Sequence, residues 1–206
     1  MKNCLFSNSD DVSVKICGLR DEECIEVAVG SGADAIGFVF IEESPRHISR
    51  KDAEYLLGQI PGSVSPVAVL KNYSNLKDFN DWPGYLQLCG EENEEEIESI
   101  NCPVIKAFEW NEDKFKFWNN SKVLKAMLVD GSSGGLGQRI DLEAFQPWRK
   151  QSNLPIILAG GLNPKNVRKI IDTVQPDAVD ASTGLESERG IKSPELICDF
   201  LRAVKG

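Results

Sequence analysis

The sequence predicts an α/β protein, a single (βα)8 TIM barrel in which a parallel eight-stranded barrel is surrounded by outer helices. Short apolar runs alternate with segments of helical periodicity along the chain. The unit repeats about every 25 residues, which suits one strand followed by one helix. The strand segments are almost continuously apolar, which is typical of parallel strands covered by helices. Eight such units close into a barrel, whereas an open doubly wound sheet would need fewer strands or a break in the alternation.

The predicted strands share a short, β-rich apolar composition. They lie at 12–18, 35–40, 65–70, 85–90, 103–108, 125–130, 155–160 and 178–183. The predicted helices share an apolar period or a helix-start signal. They lie at 21–32, 49–60, 74–80, 91–100, 111–120, 141–150, 163–174 and 193–204. Because 206 residues is short for this fold, we expect the third and fifth helices to be short.

We expect one domain over residues 1–206, with residues 1–11 as a short N-terminal extension. The chain is 41% hydrophobic and 27% charged, as in ordinary globular proteins. The first residues lack an apolar stretch long enough for a signal peptide, and no segment approaches the roughly 18 apolar residues of a membrane helix. We therefore expect a cytoplasmic protein that does not bind a membrane.

The charge and the cysteines limit the possible ligands. A net charge of −9 argues against nucleic acid, which requires a basic face. The six cysteines form no C-x-x-C pair, and the chain has one histidine, so neither a disulfide framework nor a zinc site is expected. An anionic small molecule would have to be bound by local donors. Nothing in the sequence predicts a protein partner.

Three reactive side chains follow predicted strands. In this fold the carboxyl ends of the strands form the active-site mouth. Cys17 ends strand one, Asp130 ends strand six, and Arg46 lies in the loop after strand two. A thiol and a carboxyl on different sides of a substrate could remove a proton at one atom and deliver one at another. Taken singly, such a cysteine is more often an inert core residue, and such an aspartate is more often a helix cap or turn former.

The loops after strands seven and eight predict a phosphate site. Gly160 and Gly161 join strand seven to a helix, where backbone amides can approach a phosphate. Asp180 lies at the end of strand eight, and Ser182, Thr183 and Gly184 follow it with further donors. Barrels of this type often bind phosphate with these two loops. Two adjacent glycines alone could equally mark a tight turn.

Together these motifs resemble one family. KICGL, SPR, LQLCGEE, LVD followed by GGLGQ, LAGGLNPKNV and VDASTGLES-x-x-GIK occur in this order over nearly the whole chain. The combination is similar to phosphoribosylanthranilate isomerase of tryptophan biosynthesis. The resemblance implies a cofactor-free barrel that catalyses an Amadori rearrangement. Its substrate would be N-(5′-phosphoribosyl)anthranilate and its product the corresponding 1-deoxyribulose phosphate.

The resemblance also implies roles for the candidate residues. Cys17 would be the general base and Asp130 the general acid, while Arg46 would bind the anthranilate carboxylate. The loops at 160–161 and 182–184 would bind the phosphate. From its polar loop, the lone histidine, His47, is expected at the surface or the rim of the mouth.

Two differences from the family pattern leave other functions open. The family usually has histidine where this chain has Cys89, and its loop after strand six commonly reads GGTGK where this chain has GGLGQ at 134–138. The barrel could therefore bind a phosphorylated ligand without catalysis. It could also act on another phosphosugar, although that chemistry would favour a metal-binding histidine set or a Schiff-base lysine at a strand end. Neither Lys15, Lys106 nor Lys125 ends its strand.

Overall fold

The computed structural model describes residues 11–131 and 142–206, and in it eight parallel strands form a closed barrel. Each strand pairs with the next along the chain, and β8 closes the barrel by pairing with β1. The strands are β1 Ser13–Cys17, β2 Ala35–Val39, β3 Ser65–Leu70, β4 Tyr85–Leu88, β5 Val104–Glu109, β6 Leu124–Asp130, β7 Ile156–Ala159 and β8 Ala178–Ala181. The predicted fold class is confirmed.

The helices pack outside the barrel. They are α1 Glu22–Gly30, α2 Arg50–Leu57, α3 Glu94–Glu98, α4 Glu112–Asn119, α5 Leu142–Lys150, α6 Val167–Val174 and α7 Pro194–Lys205. The third predicted helix is a short 3-10 helix, Leu76–Phe79, as expected. The expectation of a short fifth helix was wrong: α4 has eight residues because Phe115 and Trp118, three apart, are both buried. The helix before it, α3, is shorter and buries Ile97 alone.

Two layers of core lie on the two faces of the barrel strands. Side chains alternate between the barrel interior and the helix-covered outer face. The interior is filled mostly by small and branched apolar residues, among them Val67, Ile105, Leu128 and Ile157. Larger side chains, including Phe38, pack between strands and helices. The interior face also carries the polar residues Lys15, Gln87 and Asp180, all buried.

A short antiparallel hairpin, which the sequence did not predict, follows β8. After a 3-10 turn at Thr183–Leu185, β9 Glu186–Glu188 pairs with β10 Ile191–Lys192. Gly190, with φ +84°, makes the turn between them, and a β-carbon there would lie 2.7 Å from the carbonyl oxygen of Pro45. The hairpin is therefore fixed against the loop that follows β2.

Two predictions concern regions that the structure does not describe. Of the extension predicted at 1–11, only residue 11 is among the described residues. The loop at 134–138 lies wholly outside them. Within residues 11–131 and 142–206, no helix is both long enough and apolar enough to cross a bilayer.

Candidate active site

Cys17 ends β1 with its side chain in the barrel interior. Only 6% of the residue is exposed. A β-carbon on Gly37, in the adjacent strand, would lie 2.9 Å from Cys17 Sγ and 3.1 Å from Lys15 Nζ. Gly37 therefore leaves the space that the thiol and the ammonium occupy. Burial raises the pKa of the Cys17 thiol, Asp180 raises it further, and Lys15 and Lys192 oppose the increase.

Lys15 and Asp180 form a buried ion pair below this thiol. The two residues are directly paired between β1 and β8, and Lys15 Nζ donates to Asp180 Oδ1 at 2.7 Å. Burial alone would lower the pKa of Lys15, but Asp180 and Cys17 outweigh it, so the pKa lies above its ordinary value. Asp180, predicted as a substrate contact, thus has its carboxylate bound to a cation of the chain itself.

Asp130 ends β6 on another part of the same mouth. It is half-buried and is paired in register with Ala159 of β7. A β-carbon on Gly160 would lie 2.9 Å from Asp130 Oδ1 and 2.5 Å from the Gly131 nitrogen. The first glycine after β7 therefore brings its backbone against the carboxylate. The structure places Cys17 and Asp130 at the same end of the barrel, with two strands, β7 and β8, between β6 and β1.

The two predicted phosphate loops contact each other through their backbones. Gly160 and Gly161 have φ values of +101° and +66°, which L side chains rarely adopt. A β-carbon on Gly184 would lie 2.0 Å from the Leu162 carbonyl oxygen. The Gly161 carbonyl accepts from the Asn166 side-chain amide at 2.9 Å, which orients the turn into α6. The glycines therefore let the backbones of the two loops come closer together than a side chain at these positions would allow.

Ser182 and Thr183 extend this region towards β1. Ser182 Oγ donates to the Cys17 carbonyl oxygen at 3.2 Å, so the loop after β8 is tied to the end of β1. Thr183 begins the 3-10 turn and is half-buried. Lys192 donates to both the carbonyl and the hydroxyl oxygen of Ser182, at 2.9 and 3.1 Å. Sequence reasoning did not single out Lys192, although it is the lysine of the GIK motif.

Arg46 lies over the corner that follows Cys17. A β-carbon on Gly18 would lie 2.8 Å from Arg46 Cδ. The guanidinium donates from Nε and Nη2 to the two oxygens of Glu186, at 2.5 and 2.9 Å. Glu186 also accepts from Lys192 Nζ at 2.8 Å. Burial would raise the pKa of Glu186, but Arg46, the Gly190 amide and Lys192 together lower it to about 2.

Glu186 is the second site residue that sequence reasoning missed. It lies in the quoted STGLES motif, but only the fold brings it to Arg46, 140 positions away in the chain. The signal in the sequence was a charged residue two positions after the predicted phosphate loop at 182–184.

Cys89 and His47 lie at the edge of the mouth. The Gln87 side-chain amide donates to Cys89 Sγ at 3.4 Å, and burial raises the pKa of Cys89 to about 12. Among the described residues, Gln87 Oε1 is buried and has no hydrogen-bond partner. His47 is exposed, as expected, and lines a cavity of about 690 Å³ with Arg20.

Reactions on other phosphosugars would favour a metal-binding histidine set or a Schiff-base lysine at a strand end, and the described residues bear on both. Within 11–131 and 142–206, no group of three or more histidine, cysteine, aspartate or glutamate side chains could hold a metal ion. Lys106 is buried and paired with Glu92 at 2.7 Å on the outer side of β5, where it also donates to the Gly90 carbonyl.

Comparisons with known proteins identify relatives over nearly the full chain. The family model for N-(5'phosphoribosyl)anthranilate (PRA) isomerase matches residues 14–203. The chain is 36% identical to N-(5'-phosphoribosyl)anthranilate isomerase of Methanopyrus kandleri, with 94% of this chain and 99% of that protein covered. It is 38% identical to the protein of the same name from Methanothrix thermoacetophila, with 93% and 97% covered.

Solved structures agree with these relatives. The crystal structure of phosphoribosyl anthranilate isomerase from Thermotoga maritima has a TM-score of 0.85 and 37% identity, over 95% of this chain and 99% of that chain. A phosphoribosyl anthranilate isomerase in complex with reduced 1-(o-carboxyphenylamino)-1-deoxyribulose 5-phosphate has a TM-score of 0.83 and 35% identity, with the same coverage.

Proposed function

This chain belongs to the N-(5'-phosphoribosyl)anthranilate isomerase family, and from that premise we propose that it catalyses the Amadori rearrangement of N-(5′-phosphoribosyl)anthranilate in tryptophan biosynthesis. The product is 1-(2-carboxyphenylamino)-1-deoxyribulose 5-phosphate. One observation carries the proposal from the structure: Cys17, Asp130 and Arg46, with the loops after β7 and β8, lie at one end of a closed barrel. The family match confirms the class of reaction predicted from the sequence.

The proposed chemistry divides the proton transfers between two side chains. Asp130, when protonated, donates a proton to the ribose ring oxygen, and the ring opens to an iminium ion. The positive nitrogen acidifies the neighbouring C2 proton, which the Cys17 thiolate removes. The enolamine then tautomerises to the aminoketone, so that the reaction is an isomerisation. Because Cys17 and Asp130 lie on different sides of the mouth, each can reach a different atom of the substrate.

The substrate phosphate binds, in this proposal, at the paired loops of 160–161 and 182–184. The support is the backbone contact between Gly184 and Leu162, which places the peptide groups of both loops side by side. Backbone N–H groups of glycine-rich turns are suitable donors for a phosphate. Lys192, bonded to Ser182, adds a cation beside this site. This local charge opposes the overall charge of −9.

Arg46 is the proposed contact for the anthranilate carboxylate. A guanidinium has five N–H donors, and Glu186 occupies donors on Nε and Nη2. The donors that remain can bind a second carboxylate while Glu186 holds the side chain over the mouth. Alternatively, the substrate carboxylate takes the place of Glu186 on Arg46, and Glu186 stays bonded to Lys192. The predicted substrate contact of Asp180 stays a prediction.

The test is turnover. Phosphoribosylanthranilate is generated from anthranilate and phosphoribosyl pyrophosphate by a transferase, and its loss is followed by fluorescence. Cys17→Ala and Asp130→Asn are compared with Cys198→Ala and Asp172→Asn, which make the same changes on the outer helices α7 and α6. We expect wild-type turnover that is lost in Asp130→Asn, greatly reduced in Cys17→Ala and retained in both controls.

Two outcomes would contradict the proposal in different ways. Full activity in both site variants would remove the assigned acid and base. Folded wild-type protein that binds the reduced product analogue without turnover would instead favour a barrel that binds a phosphorylated ligand and has lost the reaction.

A further inference from the structure

The barrel interior contains a charged pair at a position where packing alone would favour apolar residues. Lys15 is completely buried, and its Nζ lies 2.7 Å from Asp180 Oδ1. Interior positions on the adjacent strands, such as Ala35 on β2 and Ile157 on β7, are apolar. A buried ion pair is often no more stabilising than apolar side chains of the same volume, because both charges must be desolvated. Stability alone therefore gives no reason for this pair.

The pair lies directly beneath the Cys17 thiol. Lys15 and Cys17 are two residues apart on β1, so both side chains point into the barrel. Sγ and Nζ are both within about 3 Å of the point where a Gly37 β-carbon would be. A hydrogen bond between the two side chains contributes to the pKa values of both. The absence of a side chain at Gly37 is what allows this contact.

Four charged or titratable groups act on the Cys17 sulfur from the surrounding elements. They are Lys15 on β1, Asp180 on β8, Lys192 on β10 and Cys89 after β4. Two of them are cations, and each has a carboxylate partner of its own: Asp180 for Lys15 and Glu186 for Lys192. Burial is the largest influence on the thiol and raises its pKa. A thiolate at this site therefore needs a cation close by.

We propose that Lys15 is a positioning residue for the reaction: its ammonium binds and stabilises the Cys17 thiolate from below, and Asp180 fixes that ammonium in place. This inference rests on the proposed role of Cys17 as the base. During the reaction the C2 proton moves to Cys17 Sγ, while Lys15 keeps its own protons. Asp180 has two opposing effects, because its negative charge also disfavours the thiolate.

The opposing charges of the pair give the experiment its design. Lys15→Met removes the cation, so the pH midpoint for thiolate formation should rise. Asp180→Asn removes the anion and leaves Lys15 in place, so the midpoint should fall. A purely structural role for the pair would give two variants of reduced stability, with no reason for the midpoint to move in opposite directions.

The measurement is the rate at which iodoacetamide alkylates Cys17 as a function of pH, followed by mass spectrometry of the tryptic peptide. A Cys4→Ser background is used throughout, because loss of the Lys15 cleavage site would join Cys4 and Cys17 in one peptide. We expect the midpoint to move by about one pH unit in each direction, which is about tenfold in thiolate fraction. In turnover, Lys15→Met should lower kcat more than it changes KM.

The chain offers a matched control. Lys106 and Glu92 form a second buried ion pair, also 2.7 Å long, on the outer side of β5. Lys106→Met and Glu92→Gln make the same chemical changes at similar burial. Neither should change the alkylation midpoint of Cys17.

The outcomes separate this inference from the proposed function. Opposite shifts in Lys15→Met and Asp180→Asn support it, and an unchanged midpoint in both overturns it. If Lys15→Met fails to fold, Asp180→Asn decides alone: a lower midpoint supports the inference and an unchanged one overturns it. Alkylation does not depend on turnover. Opposite shifts combined with full activity in Cys17→Ala would therefore overturn the proposed base while the contact between thiol and ammonium stands.

Discussion

The two sides of the barrel mouth differ in how they are built. At β1, β8 and the β9–β10 hairpin, charged side chains are bonded to one another: Lys15 with Asp180, and both Arg46 and Lys192 with Glu186. At β6 and β7, the backbone of Gly160 lies against both the Asp130 carboxylate and the backbone of Gly131. The side formed by β1, β8 and the hairpin therefore acts on a ligand through fixed charges. The side formed by β6 and β7 depends on the close approach of the main chain to the Asp130 carboxylate.

This difference predicts two kinds of response to substitution. Changes on the charged side should alter pH dependence and the binding of anionic groups, because they act through electrostatics. Changes to the main-chain contacts on the β6–β7 side should act through steric displacement, with little dependence on pH. Substitutions on the two sides can test that division.

We predict that Gly160→Ala lowers kcat/KM by about 100-fold, since small displacements at an active site can cost this much. Gly160 has φ +101°, and its β-carbon would lie 2.5 Å from the Gly131 nitrogen and 2.9 Å from Asp130 Oδ1. The added methyl group must therefore shift the backbone that positions Asp130. The measurement is steady-state kinetics across a range of pH, and the loss should be similar at each pH.

The control for this change is Gly32→Ala. Gly32 has a similar φ of +95°, but nothing lies within 4 Å of its β-carbon position. Both substitutions should destabilise the fold by about 1–3 kcal/mol through backbone strain. Only Gly160→Ala should lose activity. Equal activity losses in the two variants would show that strain, rather than approach to Asp130, is responsible.

The success of the sequence-based prediction differs between fold and site for a physical reason. Parallel strands buried on both faces are continuous apolar runs, so β3 was predicted at the bounds that the structure gives, 65–70. The end of β8 was placed two residues too far, at 183, because Ser182 leaves the extended conformation to begin a turn. The β9–β10 hairpin was missed because its strands are too short to show alternation.

Within the site, single residues at strand ends were predictable, but their ion pairs were not. The rule that active sites lie at the carboxyl ends of barrel strands selected Cys17, Asp130 and Arg46. Glu186 and Lys192 were missed because their contacts depend on how the hairpin folds back over β1 and β2. The position of Lys15 under the thiol depends on Gly37 of the next strand. No local pattern in the sequence carries that information.

On the charged side, we predict that Arg46→Lys raises KM for the substrate about tenfold with a smaller change in kcat. Lysine can keep the ion pair with Glu186, but it lacks the planar set of donors that can hold a second carboxylate. The control is Arg50→Lys, at a half-buried arginine of α2 that pairs with Glu54 and Asp81. An unchanged KM in Arg46→Lys would argue against recognition of a substrate carboxylate by Arg46.

The last prediction concerns stability rather than turnover: Glu186→Gln should change how the free energy of unfolding depends on pH. Hydrogen bonds from Arg46, the Gly190 amide and Lys192 outweigh burial and lower the pKa of Glu186 from 4.5 to about 2. A lowered pKa means that the ionised group stabilises the fold above about pH 4.5, and that this stabilisation is lost as the pH falls towards 2. Glutamine has no such transition. The wild type should therefore be about 2 kcal/mol more stable than Glu186→Gln at pH 7, with the difference closing in acid.

Urea unfolding at a series of pH values measures this difference. The matched control is Glu54→Gln, an exposed partner of Arg50 on α2, which should differ little from wild type at any pH. If the curves of wild type and Glu186→Gln run parallel from pH 7 to pH 2.5, the carboxylate of Glu186 does not stabilise the charged side of the mouth. If they converge, the network of Arg46, Glu186 and Lys192 is a preformed unit. A substrate carboxylate must then either share Arg46 with Glu186 or displace it.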